Sequence, residues 1–256
     1  MGGILIYCFF MYLLGGLGAS LGYHRILTHR AAEMPKWLEY GFVLLGLPAG
    51  TPIQWAGSHR AHHLHTDQEG DPHSPIVDGF WYAHCGWYIQ SKNRFLCLLY
   101  ALAGPLRMMV DSIMRPRTNQ EHVYLAKDIQ AKKFYAIVSQ PLVYAIIMWV
   151  YLTTVLIVPY ILFSWVGVLA ASITLVVIYN MGDAVDSFGH LFGKKKGNNE
   201  SRNNLFLGVF AFGDGWHANH HHQPHRAKHG VKRNQPDLSY LVLRTGKLIG
   251  IIKKIY

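Results

Sequence analysis

The strongest constraint on this chain is an absence of charge. From Phe134 to Gly182 there are 49 consecutive residues without Asp, Glu, Lys or Arg. A membrane crossing takes about 20 apolar residues. The run is therefore too long for one span and suits two, predicted at 134–157 and 161–182 with a short turn near Pro159. A second charge-free run, Gly2 to Tyr23, is long enough for one more span at 2–23. It has no basic segment before it and ends directly on His24-Arg25, which fits a secretory signal poorly. A third apolar stretch, about 37–57 with its core at Tyr40–Gly57, contains Pro48 and Pro52.

Composition agrees. Charged residues are 15% of 256, against about 25% in soluble domains, and 51% hydrophobic residues exclude a disordered chain. Cys8, Cys85 and Cys97 are scattered and odd in number, so they read as free thiols. The net charge of +10 lies outside the apolar runs, and the short loop near Pro159 has no Lys or Arg. The positive-inside rule then places 58–133 and 183–256 in a cytoplasmic cap and the hairpin tip outside. No repeat or second domain is visible. The expected architecture is one all-α integral membrane domain, 1–256, with about three transmembrane helices, a re-entrant or interfacial segment and a helical cap.

The chain holds 16 His, more than its 14 Asp and Glu together. They cluster: His24 and His29 at the end of the first span; His59, His62 and His63; His190, four residues after Asp186; and His217, His220 and His221. Residues at i, i+3 and i+4 share one helix face, so two facing His-x-x-His-His helices offer six imidazoles to a small volume. His24 and His29 are five apart and need a helix end or bend to meet. Nine His and one Asp are too many for one ion, since zinc takes about four ligands, so the count favours a two-metal centre. No His-Glu-x-x-His metalloprotease motif is present. His65, His225 and His229 read as neighbours of the clusters, and His84 and His122 as residues without direct chemistry. The clusters also decide the topology. If Tyr40–Gly57 crossed the membrane, the first two clusters would face opposite compartments, so it should be re-entrant or interfacial.

The motifs GYHRILTHR, PKWLEY, PIQWAGSHRAHHLHTD, DPHSP, GFWYAHCGW, KDIQAKKFY and FGDGWHANHHHQPHRAKHG resemble those of the membrane-bound fatty acyl desaturases of the stearoyl-CoA or bacterial and cyanobacterial Δ9 type. The resemblance runs from about Leu17 to the C-terminus. It implies two non-haem iron ions held by His24, His29, His59, His62, His63, His190, His217, His220 and His221. It implies an acyl tunnel shaped by Trp55 near the irons and closed around Cys8, Phe9 and Tyr12. Asp71, His73, Asn219 and His222 are expected to orient metal-bound imidazoles from behind. Two departures stand out. The family usually has Asn where this chain has Asp186, and a carboxylate there can bind iron directly. The family also has a helix before the one leading to the first cluster; with three spans the N-terminus would lie outside.

The implied reaction is O2-dependent, cis, Δ9-type desaturation of an acyl chain. No side-chain base takes a proton from an unactivated methylene, so the metal must supply the chemistry. The chain shows no haem, flavin or iron–sulfur motif, which implies an external two-electron supply from ferredoxin or cytochrome b5. The +10 charge suits an acidic partner or anionic lipid. The acyl group would arrive as acyl-CoA, acyl-ACP or acyl-lipid; no nucleic acid partner is implied. A bacterial-type inner or plasma membrane is the expected location, with the site facing the cytoplasm. A hydroxylase or acetylenase on the same scaffold is the nearest alternative. A non-catalytic membrane metal-binding protein is the remote one, disfavoured by the lack of charge within 134–182.

Overall fold

The computed structural model describes residues 1–256. It is built of helices, with two short strand pairs, Ala32–Glu33 on Lys254–Ile255 and Lys194–Lys195 on Arg202–Asn203. Helix α1 (Gly2–Leu17) runs directly into a π-helical segment, Gly18–Thr28. Together they are long and apolar enough to cross a membrane. The helix passes the predicted end at 23 and continues to Thr28. Its last turns are buried in protein, with Leu21, Tyr23 and Leu27 inaccessible. Helix α2 (Lys36–Gly46) packs on this segment. A Cβ on Gly22 would stand 2.4 Å from the Phe42 carbonyl oxygen, so only glycine admits the contact.

Helix α2 has 11 residues, about 16 Å, against an apolar bilayer core of about 30 Å. After a turn at Gly50, helix α3 (Pro52–His65) begins. Pro52 takes the first helical position and Thr51 Oγ1 accepts a hydrogen bond from the Gln54 N–H at 3.1 Å. The two prolines therefore separate two helices, and the second carries a histidine cluster.

Helices α4 (Arg94–Ala101) and α5 (Pro105–Arg117) are bent by 117° to each other. Taken together they have the apolar character of a broken span, within a region expected to be cap. Helix α6 (Pro141–Leu191) contains the hairpin. The reversal lies at Ser164 (φ 58°, ψ −157°), not near Pro159, which sits inside the first arm. A Cβ on Gly167 would lie 2.4 Å from the Pro159 carbonyl oxygen, so the arms touch as soon as the chain has turned. Further down, Tyr144, Met148 and Leu152 of arm 141–163 meet Leu175 and Tyr179 of arm 165–191 in one buried cluster. The second arm runs past the predicted 182 to Leu191 and so delivers His190. Residues 134–138, predicted within the first arm, belong instead to a separate short helix, Lys133–Val138, before Pro141. Helices α7 (Leu205–Phe210), α8 (His217–His222) and α9 (Leu238–Leu248) complete the chain.

Candidate metal centre

Helices α3 and α8 each divide their histidines between two groups. His59 and His63 join His24, His29 and His220; His217 and His221 join His62 and His190. Within each group the ring nitrogens offered lie within 4.8 Å of one another. On each helix the i,i+4 pair is only about 40° apart and shares a group. The i+3 residue, about 100° round from i+4, serves the other group. His24 and His29 meet because the segment between them is π-helical, with i→i+5 hydrogen bonds. The His29 N–H donates to the His24 carbonyl at 3.2 Å and the two rings stand 5.0 Å apart.

The Nε2 atoms face inward. Those of His24 and His63 each lie 2.9 Å from that of His220, and that of His29 lies 3.0 Å from that of His59. In the other group His217 Nε2 is 2.9 Å from His190 Nε2 and 3.1 Å from His221 Nε2. Behind the rings stand carboxylates. His24 Nδ1 is 3.2 Å from Asp214, His62 Nδ1 is 2.9 Å from Asp71, and His190 Nδ1 is 3.0 Å from Asp67. The carboxylate accepts a hydrogen bond from Nδ1–H, which leaves the Nε2 lone pair free, a tautomer assigned from the network. Several lone pairs at this separation repel unless a cation lies among them, so the donor set fits a metal. With metal–nitrogen bonds of about 2.1 Å, ligand nitrogens stand about 3.0 Å apart at right angles and about 3.4 Å apart in a tetrahedron. The observed spacings of 2.9–3.2 Å are of the size expected for nitrogens sharing one ion.

Electrostatics keep the rings in their binding form. Burial, and then the neighbouring imidazoles, hold His29, His59, His62, His220 and His221 well below the usual imidazole value, and His63 at about 3. Neutral imidazole is the form that ligates. Burial opposes charge on Asp214, but His24 and the fully buried Arg25 outweigh it and hold its carboxyl well below the usual range. Arg25 also pairs with Asp237 at 3.0 Å and donates to the Ala227 carbonyl at 3.0 Å. It ties the end of the first span to the segment after α8.

A cavity of about 390 Å³ runs from Tyr7, Met11 and Leu14 on α1 to Trp55, His24 and His59. Its size is that of a ligand site. Trp55 stacks on His59 with ring centroids 5.0 Å apart. Of the residues expected to close the tunnel, Tyr12 lines the cavity; Cys8 and Phe9 do not. Phe9 points outward against Phe10, because the cavity follows the face of α1 that carries Tyr7, Met11 and Leu14.

The structure separates the remaining predicted residues. Asp186 lies in neither histidine group; a carboxylate oxygen stands 4.0 Å from His73 Nδ1, and the residue lines the cavity. Asp71 backs His62, and His73 stacks on the His62 ring at 4.5 Å. Asn219 makes no hydrogen bond to a clustered ring; its Nδ2 donates to the His229 carbonyl at 3.0 Å and to Gln235 at 3.2 Å, fixing α8 to the next loop. His222 is exposed on the far side of α8, the position next to the buried pair being turned to solvent. His84 bridges Ser187 and Asn180 and stays structural. Sequence reasoning missed Asp67 and Asp214, which face the histidines from loops distant in sequence. It had His229 only as a neighbour, whereas the ring is buried 4.5 Å from His220 and 3.4 Å from Asp214.

The comparisons converge on one family. A family model described as fatty acid desaturase matches residues 2–240. The chain is 33% identical over 254 residues to an acyl-CoA C20 Delta5-desaturase of Anemone leveillei, covering 97% of this chain and 72% of that protein. It is 33% identical over 247 residues to Delta-9 acyl-lipid desaturase 1 of Arabidopsis thaliana, covering 94% and 71%. It is 33% identical over 249 residues to an sn-1 stearoyl-lipid 9-desaturase of Anabaena variabilis, covering 95% and 80%. With two adjoining histidine groups, one of them at the end of an apolar cavity, and a family match across nearly the whole length, this chain belongs to the fatty acid desaturases, a family of oxidoreductases.

Proposed function

We propose that the chain carries out O2-dependent cis desaturation of a fatty acyl chain, of Δ9 type, at a non-haem di-iron centre. The observation that carries this reading is the junction of the five-histidine group with the cavity through His24, His59 and Trp55. Five histidines would hold one iron and four the other. Asp186, one turn before His190 and lining the cavity, would supply an oxygen ligand beside the smaller group. When bound, iron supplies the one-electron oxygen chemistry that an unactivated C–H bond requires.

The protein's own task is position. The cavity wall of Tyr7, Met11, Leu14 and Leu175 holds a flexible chain straight, and Trp55 sets its path beside His59. Enclosure keeps water from the reacting carbons and makes attack effectively intramolecular. Two of the three relatives act at position 9 by name, one on an acyl-CoA and two on acyl-lipids, so those two carriers are the substrates proposed. Gly2–Thr28 and the two arms of α6 serve as three spans, with the histidine groups at the cytoplasmic face. Electrons arrive from an external acidic carrier. Arg226, Lys228, Arg244 and Lys247 border an open groove, and between the first two lies Ala227, which accepts from Arg25 behind His24.

The test is the fatty-acid profile, with double-bond location by gas chromatography–mass spectrometry, of host cells expressing the chain or its His220→Ala variant. A new monoene only with the intact chain supports the proposal. A hydroxylated or acetylenic product with the intact chain refutes desaturation and assigns the alternative oxidation.

A further inference from the structure

Helices α4 and α5 reverse the pattern of a water-facing pair. Nine residues between Phe95 and Pro116 are exposed, and all nine are apolar, among them Phe95, Leu99, Leu102, Leu106 and Ile113. The three charged residues in the same stretch, Arg107, Asp111 and Arg115, are all buried. Exposed charges appear only at the feet, at Lys92, Arg94 and Arg117. An apolar patch of this extent does not face water in a soluble region, and paired, inward-facing charges are the pattern of a protein segment inside a membrane.

The inner face is built against the second arm of α6. Arg107 makes two contacts with Asp183, at 2.5 and 3.0 Å, and lies 4.3 Å over the Tyr179 ring. Arg115 Nε donates to Asp111 at 3.2 Å, and Tyr100 also donates to Asp111. Backbone freed at a helix break within a membrane must find a protein partner. Here Asn180 Nδ2 donates to the Ala101 carbonyl at 2.8 Å, at the end of α4. The apex residue, Gly104, has φ +53° and a Cβ there would lie 3.2 Å from the Ser172 carbonyl oxygen. Ser172 is 18 residues before His190 on a helical arm, about 27 Å away. It is eight residues from the turn at Ser164, about 12 Å. The apex therefore sits well inside the length of the arm.

We propose that residues 94–117 form a re-entrant hairpin that enters the bilayer from the side of the histidine groups, turns at Gly104 and returns, its outer face in contact with lipid acyl chains. Lipid is the occupant because the face is continuous with the exposed apolar surface of the adjoining arm, at Leu169, Ile173 and Val177, and is closed by cationic residues at its feet. This rests on the reading of α6 as membrane-spanning. It carries a consequence for the cavity: Arg107, Met108 and Arg115 line it, so this hairpin forms one of its walls from within the membrane.

The experiment is electron paramagnetic resonance of the full chain in phosphatidylcholine vesicles. Nitroxide labels are placed in turn at L102C, L106C, L169C and N198C, in a background carrying Cys8→Ala. Power saturation compares collisions with dissolved O2, which concentrates in lipid, and with a water-soluble nickel chelate. The expected result is that labels at 102 and 106 match that at 169, with O2 collisions retained and nickel collisions lost, while the label at 198 shows the reverse. Labels at 102 and 106 that behave like 198 overturn the proposal, as do labels shielded from both reagents, which would mean a protein partner or a second copy. A water-exposed label at 169 overturns it too, and identifies the membrane reading of α6 as the failure.

Discussion

Asp71→Asn isolates the carboxylate behind one half of the centre. Both Asp71 oxygens stand 2.9 Å from His62 Nδ1. They also accept from the Asp67 N–H at 2.8 Å and the His73 N–H at 3.1 Å. An amide of the same shape keeps one acceptor oxygen and brings in an NH2 group. Whichever way it turns, an N–H is left facing an N–H in a buried site, a cost of about 1–3 kcal/mol. Loss of such an orienting partner typically lowers metal affinity about 10–100-fold, or about 1.4–2.7 kcal/mol. Of the two histidine groups, His62 belongs only to the four-histidine one. In a chelator titration of the iron-loaded protein, followed by elemental analysis, one of the two iron equivalents should leave at about 10–100-fold lower chelator concentration. The other should leave as in the unaltered protein. If both equivalents shift together, or neither shifts, the division of the histidines into two separate groups is wrong. Asp214→Asn, behind His24, should weaken the other equivalent instead.

Three further outcomes are expected. His220→Ala removes a nitrogen that approaches both His24 and His63 at 2.9 Å, so the five-histidine group should lose its iron and the protein its desaturation product; iron analysis showing two full equivalents would refute this. Met11→Trp, on the cavity wall, should shift the product profile toward shorter acyl chains while Cys8→Trp should not, which gas chromatography of cellular lipids reads directly. Burial raises the Asp128 carboxyl, but hydrogen bonds from Arg60 and Arg30 outweigh it and hold it at about 2. That lies below the unfolded value of about 3.9, so the pairing stabilises the fold above about pH 4 and is lost as pH falls toward 2. With its side chain 29% exposed, Asp128→Asn should cost up to about 1 kcal/mol at pH 7, a deficit in thermal unfolding that disappears near pH 2.

Some of this protein was legible without a structure because its signals are local. Charge-free length follows from bilayer thickness, so the apolar helix at the N-terminus and the hairpin of α6 could be read from residue order. The i, i+3, i+4 spacing at His59 and His217 follows from helix geometry, so two facing histidine helices could be read too. The position of the hairpin turn could not. Proline signals a break, but Pro159 fits inside an arm, and the reversal falls at Ser164, where Gly167 lets the arms touch. Which face of α1 meets the cavity could not be read either: Tyr12 lines it and Cys8 and Phe9 do not, and a helix that is apolar all round carries no mark of that side.

The sequence by itself determined the class of element and the kind of ligand, because both depend on spacing along one helix. Only the tertiary structure decided how the nine histidines divide, five and four, since that depends on how α3 and α8 face each other. It also decided which carboxylates stand behind them. Asp67 and Asp214 are brought up by loops whose path no periodicity records. The same holds for 94–117, where Arg107, Asp111 and Arg115 read as cap charges along the chain. With Arg107 paired to Asp183 and Asp111, and Arg115 to Asp111, the three are turned inward, and their neighbours are left facing outward as an apolar surface.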